Sequence, residues 1–164
     1  MKINGKIFKY GDDVNTDVIF PGKYTYEPMT PEQMGEHALE DLDPDFVKKV
    51  EEGDVIVAGK NFGCGSSREQ AAVSIKAAGC RAVIAKSFAR IFYRNCLNSG
   101  LFAITNSEIQ DAVQPGDKIE IDLEGGKIIV NGRTFTFPPP SPEVFGILKA
   151  GGLIPYTREI LAKK

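Results

Sequence analysis

Asp54-Val55-Ile56-Val57-Ala58-Gly59-Lys60-Asn61-Phe62-Gly63-Cys64-Gly65-Ser66-Ser67-Arg68-Glu69 is the stretch on which the fold turns. Residues 54–58 form a short β-branched run bounded by glycines, the pattern of a buried strand. Ser66 to Ala78 reads as a helix, with Gly79 as its C-terminal stop. The glycine-rich loop between them, residues 59–65, is free to take positive φ and to approach a ligand closely. Ser66 stands where an N-cap belongs, and Glu69 three residues on would complete a capping box. Ser67 and Arg68 then occupy the first helical positions, where free N–H groups and the helix dipole make an anion site. The Arg68 fork suits a carboxylate. The loop lacks the third glycine of a dinucleotide fingerprint and the Gly-Lys-Ser/Thr ending of a phosphate loop. From the residues alone it is an anion-binding strand–turn–helix, and a well-capped helix behind a tight turn is its plain structural alternative.

Downstream, Ala82–Ala85 reads as a strand, Phe88–Asn98 as a helix stopped near Gly100, and Leu101–Thr105 as a strand. Alternating strand and helix is the signature of βαβ units and a parallel sheet. Lys118–Leu123, Lys127–Val130 and Arg133–Phe137 differ: they are strands joined by Gly125-Gly126 and Asn131-Gly132, both hairpin-turn signals. A helix near Pro142–Ala150 and a final helical turn follow.

Upstream, residues 3–9 alternate as a strand, and Asn15-Thr16-Asp17 is a polar turn before the apolar run Val18-Ile19-Phe20. Lys23–Thr30 reads as a loop, Pro31 to about Leu42 as a helix, and Pro44–Val50 as a short helical turn. Residues 1–164 are therefore expected to form one α/β domain: a central mixed sheet, packed helices and an appended β-hairpin.

Composition narrows the function. The chain has 164 residues, 42% of them hydrophobic, with 20 basic residues against 22 acidic. That balance argues against a dedicated nucleic-acid binder or an anionic-membrane binder. No apolar stretch approaches a membrane span, and Met1–Tyr10 has no signal-like apolar run. Cys64, Cys80 and Cys96 form no CxxC pair, which fits a reducing cytoplasm better than a disulfide scaffold.

Taken together, Asn15-Thr16-Asp17, the Gly59–Glu69 block and Ser87-Phe88-Ala89-Arg90-Ile91-Phe92-Tyr93-Arg94-Asn95 closely resemble the small subunits of 3-isopropylmalate dehydratase. These correspond to the swivelling fourth domain of aconitase, and the resemblance spans roughly residues 1–160. It implies a three-layer β/β/α domain and a hydro-lyase that works only with a larger subunit carrying a 4Fe–4S cluster. The small subunit itself would hold no metal. The reaction implied is dehydration and rehydration of a hydroxy diacid in leucine biosynthesis. By the same resemblance Ser66 is the catalytic base, Ser67 and Arg68 bind a substrate carboxylate, and Asp17 positions groups at the site with help from Thr16.

The resemblance also makes Tyr24-Thr25-Tyr26-Glu27 the loop that selects the substrate. Relatives that take homoaconitate-type substrates carry an arginine where this chain has Tyr26. An aromatic side chain without positive charge favours an apolar substrate branch, as in isopropylmalate. Dimethylmalate, citraconate or methylmalate, and homoaconitate are alternatives, and a non-catalytic swivel or RNA-binding module is the alternative of a different class. His37 and the pair Cys80 and Cys96 read as structural, and Arg90 and Arg94 as a surface pair or a contact with the larger subunit.

Overall fold

β1 (Lys2–Lys9) is hydrogen-bonded along both of its edges, and the rest of the architecture follows from that. Its C-terminal part runs parallel to β2 (Val55–Ala58), from Ile7 opposite Val55 to Lys9 opposite Val57. Its N-terminal part runs antiparallel to β5 (Lys118–Asp122), from Lys2 opposite Asp122 to Lys6 opposite Lys118. On one side β2 continues in parallel to β3 (Ala82–Ala85) and β4 (Phe102–Thr105). On the other, β5 continues antiparallel to β6 (Lys127–Val130) and β7 (Arg133–Thr136). The result, in a computed structural model that describes residues 1–163, is a seven-stranded sheet of order β4-β3-β2-β1-β5-β6-β7. The expected hairpin is present and extends this sheet through β5.

Side chains alternate across a strand with period two, and here the alternation sorts two cores. Val55, Val57, Ala82, Ile84, Phe102 and Ile104 pack with Ile3, Ile7, Ile119, Ile121, Ile128 and Phe135, so the parallel and antiparallel halves face one another. Ile56, Ala58, Val83 and Ala85 point the other way. They meet Ala71, Ala72 and Ile75 of α4 (Glu69–Ala77) and Phe92 and Cys96 of α5 (Arg90–Ser99). Sheet on sheet on helix gives the three expected layers. Each fully buried Val, Ile or Phe contributes about 1.5–3 kcal/mol.

Asn106 ties together the two ends of the sheet order. Its Nδ2 donates to Thr136 O at 3.0 Å, while its Oδ1 accepts from the N–H groups of Glu108 and Ile109, each at 2.9 Å. The two bonds to Oδ1 open α6 (Ile109–Ala112), a turn that the sequence reading does not include.

Several helices depart from expectation. Asn15-Thr16-Asp17 opens a helical turn, α1 (Thr16–Ile19), because Asn15 Oδ1 caps Val18 N–H at 3.1 Å. α2 (Pro31–Gly35) starts as read, with Thr30 and Gln33 forming a reciprocal capping box, but stops well before Leu42. From Glu36 on, several N–H groups bond three residues back, and Leu39 takes φ +56° to bury its side chain and donate to Ile19 O at 2.8 Å. Gly35 lies against the Ala77 backbone, which pins the turn to α4. α3 (Phe46–Lys49) and α7 (Pro142–Ala150) fall where read. The final turn is instead a ten-residue helix, α8 (Leu153–Ala162). Among the described residues no helix is long and apolar enough to cross a membrane.

Candidate active site

The three segments that carry the resemblance meet at one end of the parallel half. Asn15 pairs with Cys64 in an isolated parallel bridge, with Thr16 N donating to Cys64 O at 2.8 Å and Gly63 N to Val14 O at 2.7 Å. On the other flank Phe62 pairs with Phe88: Phe62 N donates to Ser87 O and Ala89 N to Phe62 O, both at 3.0 Å. The Gly-rich loop is thus stitched by backbone bonds to both neighbours. Gly63 makes the stitching possible. It sits at φ +83° with its Cα against the Phe92 ring, where any Cβ would collide.

This frame presents Ser66 at the surface. Its carbonyl accepts from the buried Thr16 hydroxyl at 2.7 Å, so Thr16 holds the serine's backbone from beneath. Ser66 and Ser67 are exposed, and among the described residues no hydrogen bond occupies either hydroxyl. The side chains open on a cleft of about 360 Å³ lined by Thr16, Ser66, Ser67, Arg68, Arg90 and Asn95, with Ile91 and Phe92 as its apolar wall.

The capping-box expectation fails. α4 begins at Glu69, not Ser66, and its N-cap is Arg68, extended at φ −134° with no side-chain cap bond. Ser66 and Ser67 therefore precede the helix and do not sit in its first turn. The loop's bonds to residues 13–16 and 87–89 override the local capping preference and leave the serine hydroxyls free. Ser67 and Arg68 thus do not hold the first helical positions expected of them, but the cleft lies between two helix starts. Arg68 heads α4, and Ala89, Arg90 and Ile91 open α5, whose N-cap Ala89 supplies no side-chain acceptor. Two dipole ends of this sign, with two guanidinium-bearing residues, favour an anion.

Arg68 is mostly covered, its side chain 15% exposed, and is paired with Asp17, which is 59% exposed. Its Nη1 also donates to Phe20 O at 3.3 Å. Two residues far apart in sequence thus form one ion pair at the cleft's edge. In the 24–27 loop, Tyr24 turns inward and Tyr26 stands 97% exposed. Thr25 carries a buried Oγ1 without a partner, and Glu27 is exposed. Arg90 and Asn95 line the cleft, and the sequence reading gave neither a chemical role. The signal was there, since both lie inside the Ser87–Asn95 motif. Arg94, also in that motif, is exposed and does not line the cleft.

An iron–sulfur cluster would need converging thiolates. Cys64 lies in the loop, while Cys80 and Cys96 are fully buried. Burial pushes the Cys80 thiol up to about 12 and raises that of Cys96 as well. Among the described residues no three His, Cys, Asp or Glu side chains gather as a metal site. The cysteines of this chain do not fit the cluster.

Fold and cleft together define a domain of the aconitase superfamily. The family model described as the aconitase C-terminal domain matches residues 13–109. The 3-isopropylmalate dehydratase small subunit of Thermodesulfovibrio yellowstonii is 46% identical over 99% of this chain and 97% of its own. That of Halothermothrix orenii is 50% identical over 94% of each. A crystal structure of 3-isopropylmalate dehydratase from Methanocaldococcus jannaschii is 47% identical, covers 99% of this chain and 98% of its own, and superposes with a TM-score of 0.90. The chain belongs to the 3-isopropylmalate dehydratase small-subunit family.

Proposed function

We propose that this chain is the small subunit of a hydro-lyase that interconverts 2- and 3-isopropylmalate by dehydration and rehydration in leucine biosynthesis. Residues 1–164 act as one swivel domain in the cytoplasm. A larger subunit, in a heterodimer or heterotetramer, carries the 4Fe–4S cluster and closes the cleft. The observation that carries this reading is the Ser66 hydroxyl, unoccupied and exposed in a cleft between two helix starts.

A serine hydroxyl is ordinarily a very weak base. The helix N-termini and the Arg68 and Arg90 charges favour its alkoxide, as pKa tuning at enzyme sites does. Arg68, oriented by Asp17, and Ser67 bind a substrate carboxylate. Ser66 takes the proton from the carbon beside a carboxylate, and the hydroxyl on the neighbouring carbon leaves as water on taking up a second proton, a departure that the Lewis acid of the large subunit would assist. Ser66 returns its proton when water adds in the opposite sense. The partnerless aromatic Tyr26 and the lack of an arginine at its position favour a branched alkyl side chain over a third carboxylate.

The test is Ser66→Ala in a complex co-expressed with the large subunit and reconstituted anaerobically. Loss of the general base should lower kcat about 10²–10⁴-fold, with folding and subunit association unchanged. Retained turnover would refute the mechanism. Wild-type rates on isopropylmalate, homoaconitate, citraconate and dimethylmalate settle the substrate.

A further inference from the structure

Among the described residues, every side-chain hydrogen bond and ion pair that leaves residues 22–27 ends on one side chain, Glu40, in the turns after α2. The Tyr24 hydroxyl donates to Glu40 Oε1 and Oε2, at 3.1 and 3.2 Å. Lys23 Nζ lies 3.5 Å from Oε2, and His37 Nδ1 lies 2.9 Å from Oε1. The Tyr24 and His37 rings lie 4.2 Å apart between centroids, and Lys23 Nζ sits 5.1 Å from the Tyr24 centroid. The loop's own backbone bonds are only short-range turns: Tyr24 N to Pro21 O, Thr25 N to Gly22 O and Glu27 N to Tyr24 O. Such turns do not fix a loop against the rest of a protein. Its other end meets the site, because Gly22 lies against the Arg68 guanidinium, where a Cβ would come within 2.9 Å of Nη2.

Burial acts to raise the Glu40 carboxyl. The hydrogen bonds from His37 and Tyr24 and the Lys23 charge outweigh it and hold the group below its ordinary range, so it is ionised at neutral pH. A hydrogen bond to an ionised acceptor is stronger and shorter than a neutral one. One carboxylate can therefore hold a loop whose tip residue, Tyr26, is almost wholly in solvent.

We propose that Glu40 is the positioning residue of the substrate-selecting loop, anchoring Tyr24 and Lys23 so that residues 22–27 keep one arrangement beside Arg68. The proposal rests on reading residues 24–27 as substrate-selecting. Glu40 touches no substrate and acts through Tyr24.

In the reconstituted complex, Glu40→Ala should raise KM for 3-isopropylmalate about five- to tenfold, with kcat within about twofold. Its preference for 3-isopropylmalate over citraconate should narrow by a similar factor. Glu40→Gln keeps the shape and an oxygen for the Tyr24 hydroxyl but loses the charge that Lys23 and His37 face, so it should recover only part of the loss, whereas a defect of packing alone would be repaired in full. In the full-length chain alone, chymotrypsin should cut after Tyr26 faster in Glu40→Ala than in wild type. Unchanged KM and selectivity, or a loss confined to kcat, would overturn the proposal. If the wild-type complex ignores isopropylmalate, the functional proposal falls, and cleavage after Tyr26 decides this one: equal rates overturn it, a faster rate supports it.

Discussion

Two loops meet at Arg68, and they are held in opposite ways. The 59–68 loop is fixed by its backbone, through paired bonds to residues 13–16 and 87–89 and a glycine seated on Phe92. The 22–27 loop is fixed by side chains, through one carboxylate. Backbone stitching does not depend on which side chains the loop carries, so it suits a serine whose placement the proposed chemistry requires. Side-chain anchoring lets a change at Tyr24, Lys23 or Glu40 shift the loop as a whole, which suits the part proposed to distinguish one diacid from another. The Arg68–Asp17 pair and Gly22 join the two loops.

The contrast can be broken first at its most rigid point. Gly63→Ala combines a positive φ with a collision against Phe92, and should cost about 2–4 kcal/mol in denaturant unfolding, with activity lost as the loop shifts. An equivalent change at the exposed Glu27, within the side-chain-held loop, should stay within about 0.5 kcal/mol. Thr16→Val is milder. It keeps the buried shape but leaves Ser66 O without its donor, which should cost about 1–2 kcal/mol and show as lower kcat at nearly constant KM.

The smallest effect is that of pH on the other loop. Glu40 titrates below its ordinary value of 4.5, so what it contributes to stability is fully present above that value and disappears as pH falls through the lower, folded one. The groups facing it are His37, Tyr24 and Lys23. The difference in melting temperature between wild type and Glu40→Gln should be constant near neutrality and close below about pH 4.5. A gap that persists in strong acid would mean that the contact is not ionic.

Much of this was legible in the sequence. The strands near 55–58, 82–85 and 102–105 and the Asn131-Gly132 turn follow from local pattern, because buried strands need β-branched runs and hairpins need particular turn residues, while the three segments of the site were joined only by their resemblance to a family. What escaped depends on distant partners. Nothing near Leu39 announces a positive φ, which answers to Ile19 and the core. Ser66 reads as a helix cap until residues 13–16 and 87–89 take hold of its loop. Arg90 reads as a surface charge until α5 is placed beside α4. Glu40 carries no motif, since its role comes from a turn that was expected to be helix.

β1 also has a temporal meaning. Among the described residues it is the sole strand paired into both halves of the sheet, and Ile3 finds its cross-strand neighbour at Ile121. During synthesis the parallel half can assemble as soon as β4 emerges, yet β1 keeps one open edge until β5 is made. The nascent domain therefore passes through an interval with an unsealed seam, and the seam is closed by a strand that carries no catalytic residue.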